Sequence, residues 1–196
     1  MRRDVKIGII FIAMAFIATI NLLSEVRAQN GEATIKSLVK IFATLKSENN
    51  SLLDAEQLGQ AARFIDYSTM AERAIGEKYW HKLNDQQMKD YLYNFKLLIE
   101  QRYYMRWHKI FANSTFVYQN ESRNGNDTLV NSLIITGKDK KSILWKLSGQ
   151  PPKVIDLTVD NRDLLTVMRG RFAKKLAKSD IENFIKWLQK ACKLSG

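Results

Sequence analysis

"TFVYQNESRNGNDTLVNSLIITGKDKKSILWKLSGQPPKVIDLTV", residues 115–159, is where the chain changes its period. Before Ser114, apolar residues recur every three to four positions, as on one face of a helix. Within the stretch they alternate, as along a strand. "TFVYQ", "TLVNSLIITG", "SILWKLSG" and "KVIDLTVDN" read as four strands, separated by "NGND", "GKDKK" and "GQPPK". Turns this short join antiparallel neighbours, so the stretch predicts a four-stranded antiparallel meander. One face is expected to carry Phe116, Tyr118, Leu129, Leu133, Ile135, Ile143, Trp145, Leu147, Ile155, Leu157 and Val159. So large an apolar face must be covered, and helices on either side in sequence can cover it.

Upstream, "EATIKSLVKIFATL" (32–45) places Ile35, Leu38, Val39, Phe42 and Leu45 on one helical face. A shorter helix is predicted over Asp54–Ala62. "FIDYSTMAERAIGEKYW" (64–80) follows, with Ser68 or Thr69 as cap, Met70, Ala74 and Ile75 inward, and Gly76 as a left-handed stop. Asn84 and Gln87 form a capping-box pair at the head of the longest helix, whose stripe runs through Met88, Tyr91, Leu92, Phe95, Leu98, Ile99 and Tyr103. A helix of that length is expected to bend around its contents. Downstream, helix resumes near Arg162 with Leu164, Leu165, Met168, Phe172 and Leu176 inward. Ser179 and Glu182 suggest a capping box for a last helix bearing Ile181, Phe184, Ile185, Leu188 and Cys192. Helices, then a small antiparallel sheet, then helices is an α+β order.

The ends and the charge set the setting. Arg2, Arg3 and Lys6 precede an uncharged run, Ile7–Ile20, and Val26 and Ala28 fit a cleavage site. The run is short of the ~20 apolar residues a membrane span requires. Residues 1–28 are therefore read as a cleaved signal peptide, with an uncleaved membrane anchor as the lesser alternative, and 29–196 as one exported domain. The net charge of +11 becomes +9 once Arg2, Arg3, Lys6, Arg27, Asp4 and Glu25 are removed. That balance suits an acidic partner such as an anionic lipid surface, and export makes nucleic acid the poorer choice. Cys192 is the single cysteine, so no internal disulfide can brace the fold.

Catalytic patterns are missing. His81 and His108 have no companions at metal-ligand spacing, and no serine sits in a nucleophile elbow. Asp156, in an otherwise apolar strand, would suit either a general base or a buried acid paired to an arginine or capping a backbone group, and the second reading carries more weight. An unpaired charge there or at Arg169 would be expensive, which makes the two a candidate pair. Arg169, Arg171, Lys174, Lys175 and Lys178 fit a docking face for headgroups or an acidic partner and equally an ordinary solvated face.

"FIDYSTMAERAIGEKYWHKLNDQQMKDYLYNFKLLIEQRYY" (64–104) resembles the central signature of the MlaC, or toluene-tolerance, family of periplasmic phospholipid-binding proteins. The matching positions are Asp66, Met70, Ile75, Gly76, Trp80, Gln87, Tyr91, Phe95, Leu98 and Tyr103. "KVIDLTVDNRDLLTVMRGRF" (153–172) resembles the family's strand-turn-helix, with Pro152 where a tryptophan is usual and Asn161 in place of a turn glycine. The resemblance implies helices packed on a strongly curved four-stranded antiparallel sheet enclosing an apolar cavity, no catalytic residue, no metal and no cofactor. Its cargo would be a diacyl phospholipid. On that basis lipid contacts are expected from Met70, Ile75, Trp80, Phe95, Leu98, Tyr103, Leu133, Ile135, Trp145, Leu147, Ile155, Leu157, Met168 and Phe172. Headgroup or partner contacts are expected from Arg169, Arg171, Lys174 and Lys175. The resemblance further implies a monomeric periplasmic shuttle between an outer-membrane lipoprotein complex and an inner-membrane ABC transporter with an MCE-domain subunit. A carrier of another lipid, such as a hopanoid precursor, is the near alternative. An exported cone-fold, NTF2-like enzyme using Asp156 is the distant one.

Overall fold

A computed structural model describes residues 30–45, 47–48, 52–53 and 55–193. The expected signal peptide and the start at Gln29 lie outside the described residues. The elements are α1 (Gly31–Ala43), β1 (Ser47–Glu48), β2 (Leu52–Leu53), α2 (Ala55–Ala62), α3 (Tyr67–Ile75), α4 (Glu77–Trp80) and α5 (Asp85–Ile99). A π-helical turn (Glu100–Tyr104) leads into α6 (Met105–Phe111). Then come β3 (Thr115–Asn124), β4 (Asp127–Thr136), β5 (Asp139–Ser148), β6 (Lys153–Val159), β7 (Arg162–Asp163), α7 (Leu164–Leu176) and α8 (Ile181–Lys193). The α+β expectation holds.

The main sheet has five strands in the order β3-β4-β5-β6-β7, all antiparallel, where four were expected. The fifth is the pair Arg162–Asp163, read from sequence as helix. It exists because Asp160 and Asn161 both take positive φ, 49° and 61°, and close a two-residue turn pairing Val159 with Arg162. Asn161 thus does the work of the family's glycine. Gly125 and Gly137 open two equally tight turns, which lengthens the flanking strands to ten residues each.

Strand β4 corrects the predicted face. Val130, Ser132 and Ile134 are buried and share a side with Ile143, Trp145 and Leu147, while Leu129, Leu133 and Ile135 lie half-exposed on the other side. Apolar residues occupy both parities of β4, and a serine hides the true one. Ser132 is fully buried because its Oγ accepts the Trp145 indole N–H at 2.9 Å, which removes the penalty for burying the indole. Opposite Lys146–Leu147, β6 bulges: Lys146 pairs with Asp156 and Leu147 with Val154, leaving Ile155 as the extra residue.

Helix ends explain the helical layer. Asn30 caps α1 by accepting from Ala33 N–H at 2.8 Å. Asp66, rather than Ser68 or Thr69, caps α3 by accepting from Thr69 N–H at 3.0 Å, and Asp180, rather than Ser179, caps α8 by accepting from Asn183 N–H at 2.8 Å. Carboxylates win at both places, and Ser179 instead donates to the Lys175 carbonyl. The Asn84–Gln87 capping box forms as predicted. Gly76 has φ 82° and ψ 150°, an extended positive-φ state reached essentially by glycine alone. It ends α3 and starts α4 in one step, its carbonyl accepting from Tyr79 and Trp80.

The long helix is not one continuous α-helix: the π turn interrupts it after Ile99. That turn directs Glu100 and Tyr104 inward together, where the Tyr67 hydroxyl bonds to both. Segment 64–66 docks on the sheet, with Asp66 N–H donating to Val154 O and Val154 N–H to Phe64 O. The sheet's inner face, α1 and the helices from α3 onward enclose one continuous apolar core.

Candidate functional site

The apolar core reaches the surface between the end of α5 with its π turn, α7 and α8. Leu98, Tyr103, Met168, Phe172, Trp187, Leu188 and Ala191 line a crevice of about 50 Å³, and Arg102 and Arg171 stand beside them. Behind it lies a ring cluster: Phe172 meets Phe95, Phe184 and Trp187 at centroid separations of 6.5, 5.2 and 6.2 Å. Tyr91 sits deeper against Phe95 and Phe184, with its hydroxyl donating to Ala71 O at 2.8 Å. These contacts follow from stripes on α5, α7 and α8 that meet face to face.

Four of the sequence-predicted lipid contacts, Leu98, Tyr103, Met168 and Phe172, converge on this crevice. Met70, Ile75, Phe95, Trp145, Leu147 and Leu157 lie in the core behind it, and Trp80 is half-buried with its ring edge toward Tyr91. Ile155 is buried at the β6 bulge. Leu133 and Ile135 are on the opposite side of the sheet from Trp145.

The basic set is split among surfaces. Arg169 Nε donates to the Arg73 carbonyl at 2.8 Å, and Arg73 itself reaches Asp127 at 3.3 Å. Arg171 faces the crevice, while Lys175 joins Lys178, Lys186 and Lys190 in a shallow hollow between α7 and α8. Sequence reasoning passed over Arg102, Trp187 and Ala191. Trp187 follows Phe184 by three residues and Arg102 follows Leu98 by four, so both were open to detection by helical spacing.

The buried acids are occupied internally. Asp156, with a side chain only 6% exposed, accepts from Leu157 N–H at 2.8 Å and Leu165 N–H at 3.2 Å, and its Oδ2 lies 3.5 Å from Lys146 Nζ. The expected Asp156–Arg169 pair does not form; Asp156 still joins the last long strand to the following helix, through the α7 backbone. Burial, with Asp163 adding to it, pushes the Asp156 carboxyl up to about 6. Burial also acts on Asp163, yet the Lys146 ammonium at 2.7 Å and the Thr166 N–H hold it well below the ordinary carboxylate range. Across the core, burial raises Glu100, Tyr67 and Tyr104, with Lys96 partly opposing the shift at Glu100.

His108 Nδ1 contacts the Phe42 carbonyl at 2.9 Å, and His81 is an exposed neighbour of Glu77. The Cys192 thiol donates to Asn94 O. Among the described residues no cluster of His, Cys, Asp or Glu could hold a metal, and no helix is long and apolar enough to cross a membrane.

An apolar interior that surfaces between two arginines is an arrangement that can receive an apolar ligand. The chain belongs to the MlaC family: the sequence profile described as "MlaC protein" matches residues 32–190. Among solved structures it is similar to the phospholipid-binding protein from Ralstonia solanacearum, determined in complex with a phospholipid. The TM-score is 0.70 at 17% identity, over 85% of this chain and 98% of that one. At that identity the likeness establishes the fold. No curated protein sequence matches the chain directly.

Proposed function

We propose that this chain is a periplasmic carrier of phospholipids. It moves single diacyl lipids between the outer and inner membranes, as the soluble part of an ABC-type system that maintains outer-membrane lipid asymmetry. The observation that carries the reading is the apolar core surfacing between α5, α7 and α8 in an MlaC-family fold. The Ralstonia solanacearum protein, bound to a phospholipid in the same fold, supports it. Each buried methylene is worth ~0.8 kcal/mol, so one sixteen-carbon chain in water represents on the order of 10 kcal/mol. A lipid crossing an aqueous compartment therefore needs its tails enclosed, and aliphatic and aromatic walls suffice.

A crevice of about 50 Å³ is small beside the ~300–1,000 Å³ of ligand pockets. Acyl chains accordingly enter by parting α7 and α8 from α5, with Met168, Phe172 and Trp187 turning from each other to the tails. An outer-membrane lipoprotein complex and an MCE-domain subunit of the inner-membrane transporter are the natural donors and acceptors of this monomer. The protein leaves the cytoplasm through the signal at residues 1–28. Asp156 offers no support to an enzymatic reading, since its oxygens are spent on two backbone N–H groups and Lys146.

Organic extraction of the purified, signal-processed protein followed by mass spectrometry tests this. Near-stoichiometric diacyl phospholipid is expected. Recovery of a polycyclic isoprenoid instead would move the assignment to another lipid, and recovery of no lipid after exposure to vesicles would defeat it.

A further inference from the structure

The crevice carries an electrostatic feature that tail burial does not require. Arg102, on the π turn, and Arg171, on α7, are both exposed, belong to different elements and border the same apolar crevice. No carboxylate is among its lining residues, and among the described residues neither guanidinium has an ion pair. Where a cation lies near a carboxylate the chain pairs it, as Arg73 with Asp127, Lys96 with Glu100, and Lys146 with Asp156 and Asp163; what sets Arg102 and Arg171 apart is that both border one apolar opening.

The π turn matters for the placement. Along a regular helix, Leu98 shares its face with residue 102; with one wider turn, Arg102 and Tyr103 both border the crevice beside Leu98. Meanwhile Glu100 is turned inward to Tyr67. The only carboxylate of the π segment is thus committed to Tyr67 and does not line the crevice.

We infer that Arg102 and Arg171 form a clamp for the phosphodiester of the lipid whose tails enter this crevice. Guanidinium groups present forked N–H donors that match phosphate oxygens two at a time. Two of them beside an apolar opening are complementary to one chemistry, an anionic head on an apolar tail. The inference rests on the carrier reading and adds to it a selectivity. Lipids bearing a phosphate are held at the mouth, and a neutral lipid with the same chains is held by its tails alone.

The test uses the full processed chain with two probes of identical acyl chains, phosphatidylglycerol and diacylglycerol, each measured by competition with a fluorescent acyl probe. Arg102→Gln and Arg171→Gln should each weaken phosphatidylglycerol binding by roughly tenfold or more, the worth of a charge-assisted hydrogen bond. Both should leave diacylglycerol binding within about twofold. Lys138→Gln, the same loss of charge at the β4–β5 turn, should alter neither. Inorganic phosphate alone should fail to compete at concentrations where phosphatidylglycerol saturates.

Unchanged phosphatidylglycerol binding in the double variant would overturn the clamp while leaving the carrier intact. Equal loss of both lipids would also overturn it, since the arginines would then be shaping the crevice. Competition by inorganic phosphate as strong as by the lipid would assign the site to a free anion and refute the proposal. A wild-type chain that binds neither lipid would remove the carrier reading, and the clamp would fall with it.

Discussion

Replacing Asp156 in two ways separates what its charge does from what its oxygens do. Its Oδ1 accepts from two buried N–H groups, those of Leu157 and Leu165, and so holds the β6 bulge to the first turn of α7. Alanine orphans both donors, at ~1–3 kcal/mol each, for an expected loss of about 2–6 kcal/mol. Asparagine keeps the acceptor and carries no charge. The folded-state carboxyl is raised from 3.8 to about 6. The folded chain therefore holds this proton more tightly than the unfolded chain. The resulting stability is present below about pH 4 and lost as pH rises through about 6, a fall of about 3 kcal/mol. Asp156→Asn lacks that proton and should not show the fall. Urea unfolding at pH 4.5 and pH 8 reads both effects. Asp156→Asn is expected close to wild type at pH 4.5 and ~2 kcal/mol more stable at pH 8, the part of the fall that lies between those two values, while Asp156→Ala is destabilised at pH 4.5. An asparagine variant as damaged as the alanine variant at pH 4.5, or one whose difference from wild type ignores pH, would refute this account.

Gly76→Ala should lower stability by ~1–3 kcal/mol, because a Cβ is strained at φ 82° even though open space surrounds the position; a thermal melt within a degree of wild type would contradict it. Ser132→Ala should lose ~1–3 kcal/mol by stranding the Trp145 indole N–H, read by denaturant titration, whereas Ser132→Thr can restore the acceptor. Substituting alanine for His81 or Cys192 should leave lipid binding within a few-fold, since neither side chain lines the crevice: His81 is exposed beside Glu77, and Cys192 is a buried core residue whose thiol donates to Asn94 O. Abolished binding in a folded His81→Ala chain would show that tail burial is not the whole of the site.

Order and class of the elements were legible because the switch from a 3.6-residue to a two-residue period at Ser114 is abrupt and the turns are short. What escaped notice has specific causes. In β4 both parities are apolar, so side could not be chosen until Ser132 was seen to serve Trp145. The fifth strand is two residues long and depends on Asp160 and Asn161 adopting positive φ, which no periodicity reports. Asp66 and Asp180 displaced neighbouring hydroxyls as caps, a competition among adjacent good candidates. At the site, the stripes of α5 and α7 led to Leu98, Tyr103, Met168 and Phe172. Arg102 was passed over although it follows Leu98 by four residues, because a charged residue does not belong to an apolar stripe. Asp156 was read as paired to an arginine or bound to a backbone group, and its partners are the backbone N–H groups of Leu157 and Leu165 with Lys146.

The π turn at Glu100–Tyr104 also bears on chain length. A π turn holds one residue more than the α-helical turn it replaces, so the excess is local and the flanking segments keep their places. A chain without Gln101 would close this stretch into uninterrupted α-helix and leave α5, α6 and the sheet in register. The same deletion in the middle of α5 would swing every later side chain of that helix about 100° round its axis. A one-residue gap at this point between relatives is thus compatible with one architecture, and the relative lacking it would present a different mouth on the same core.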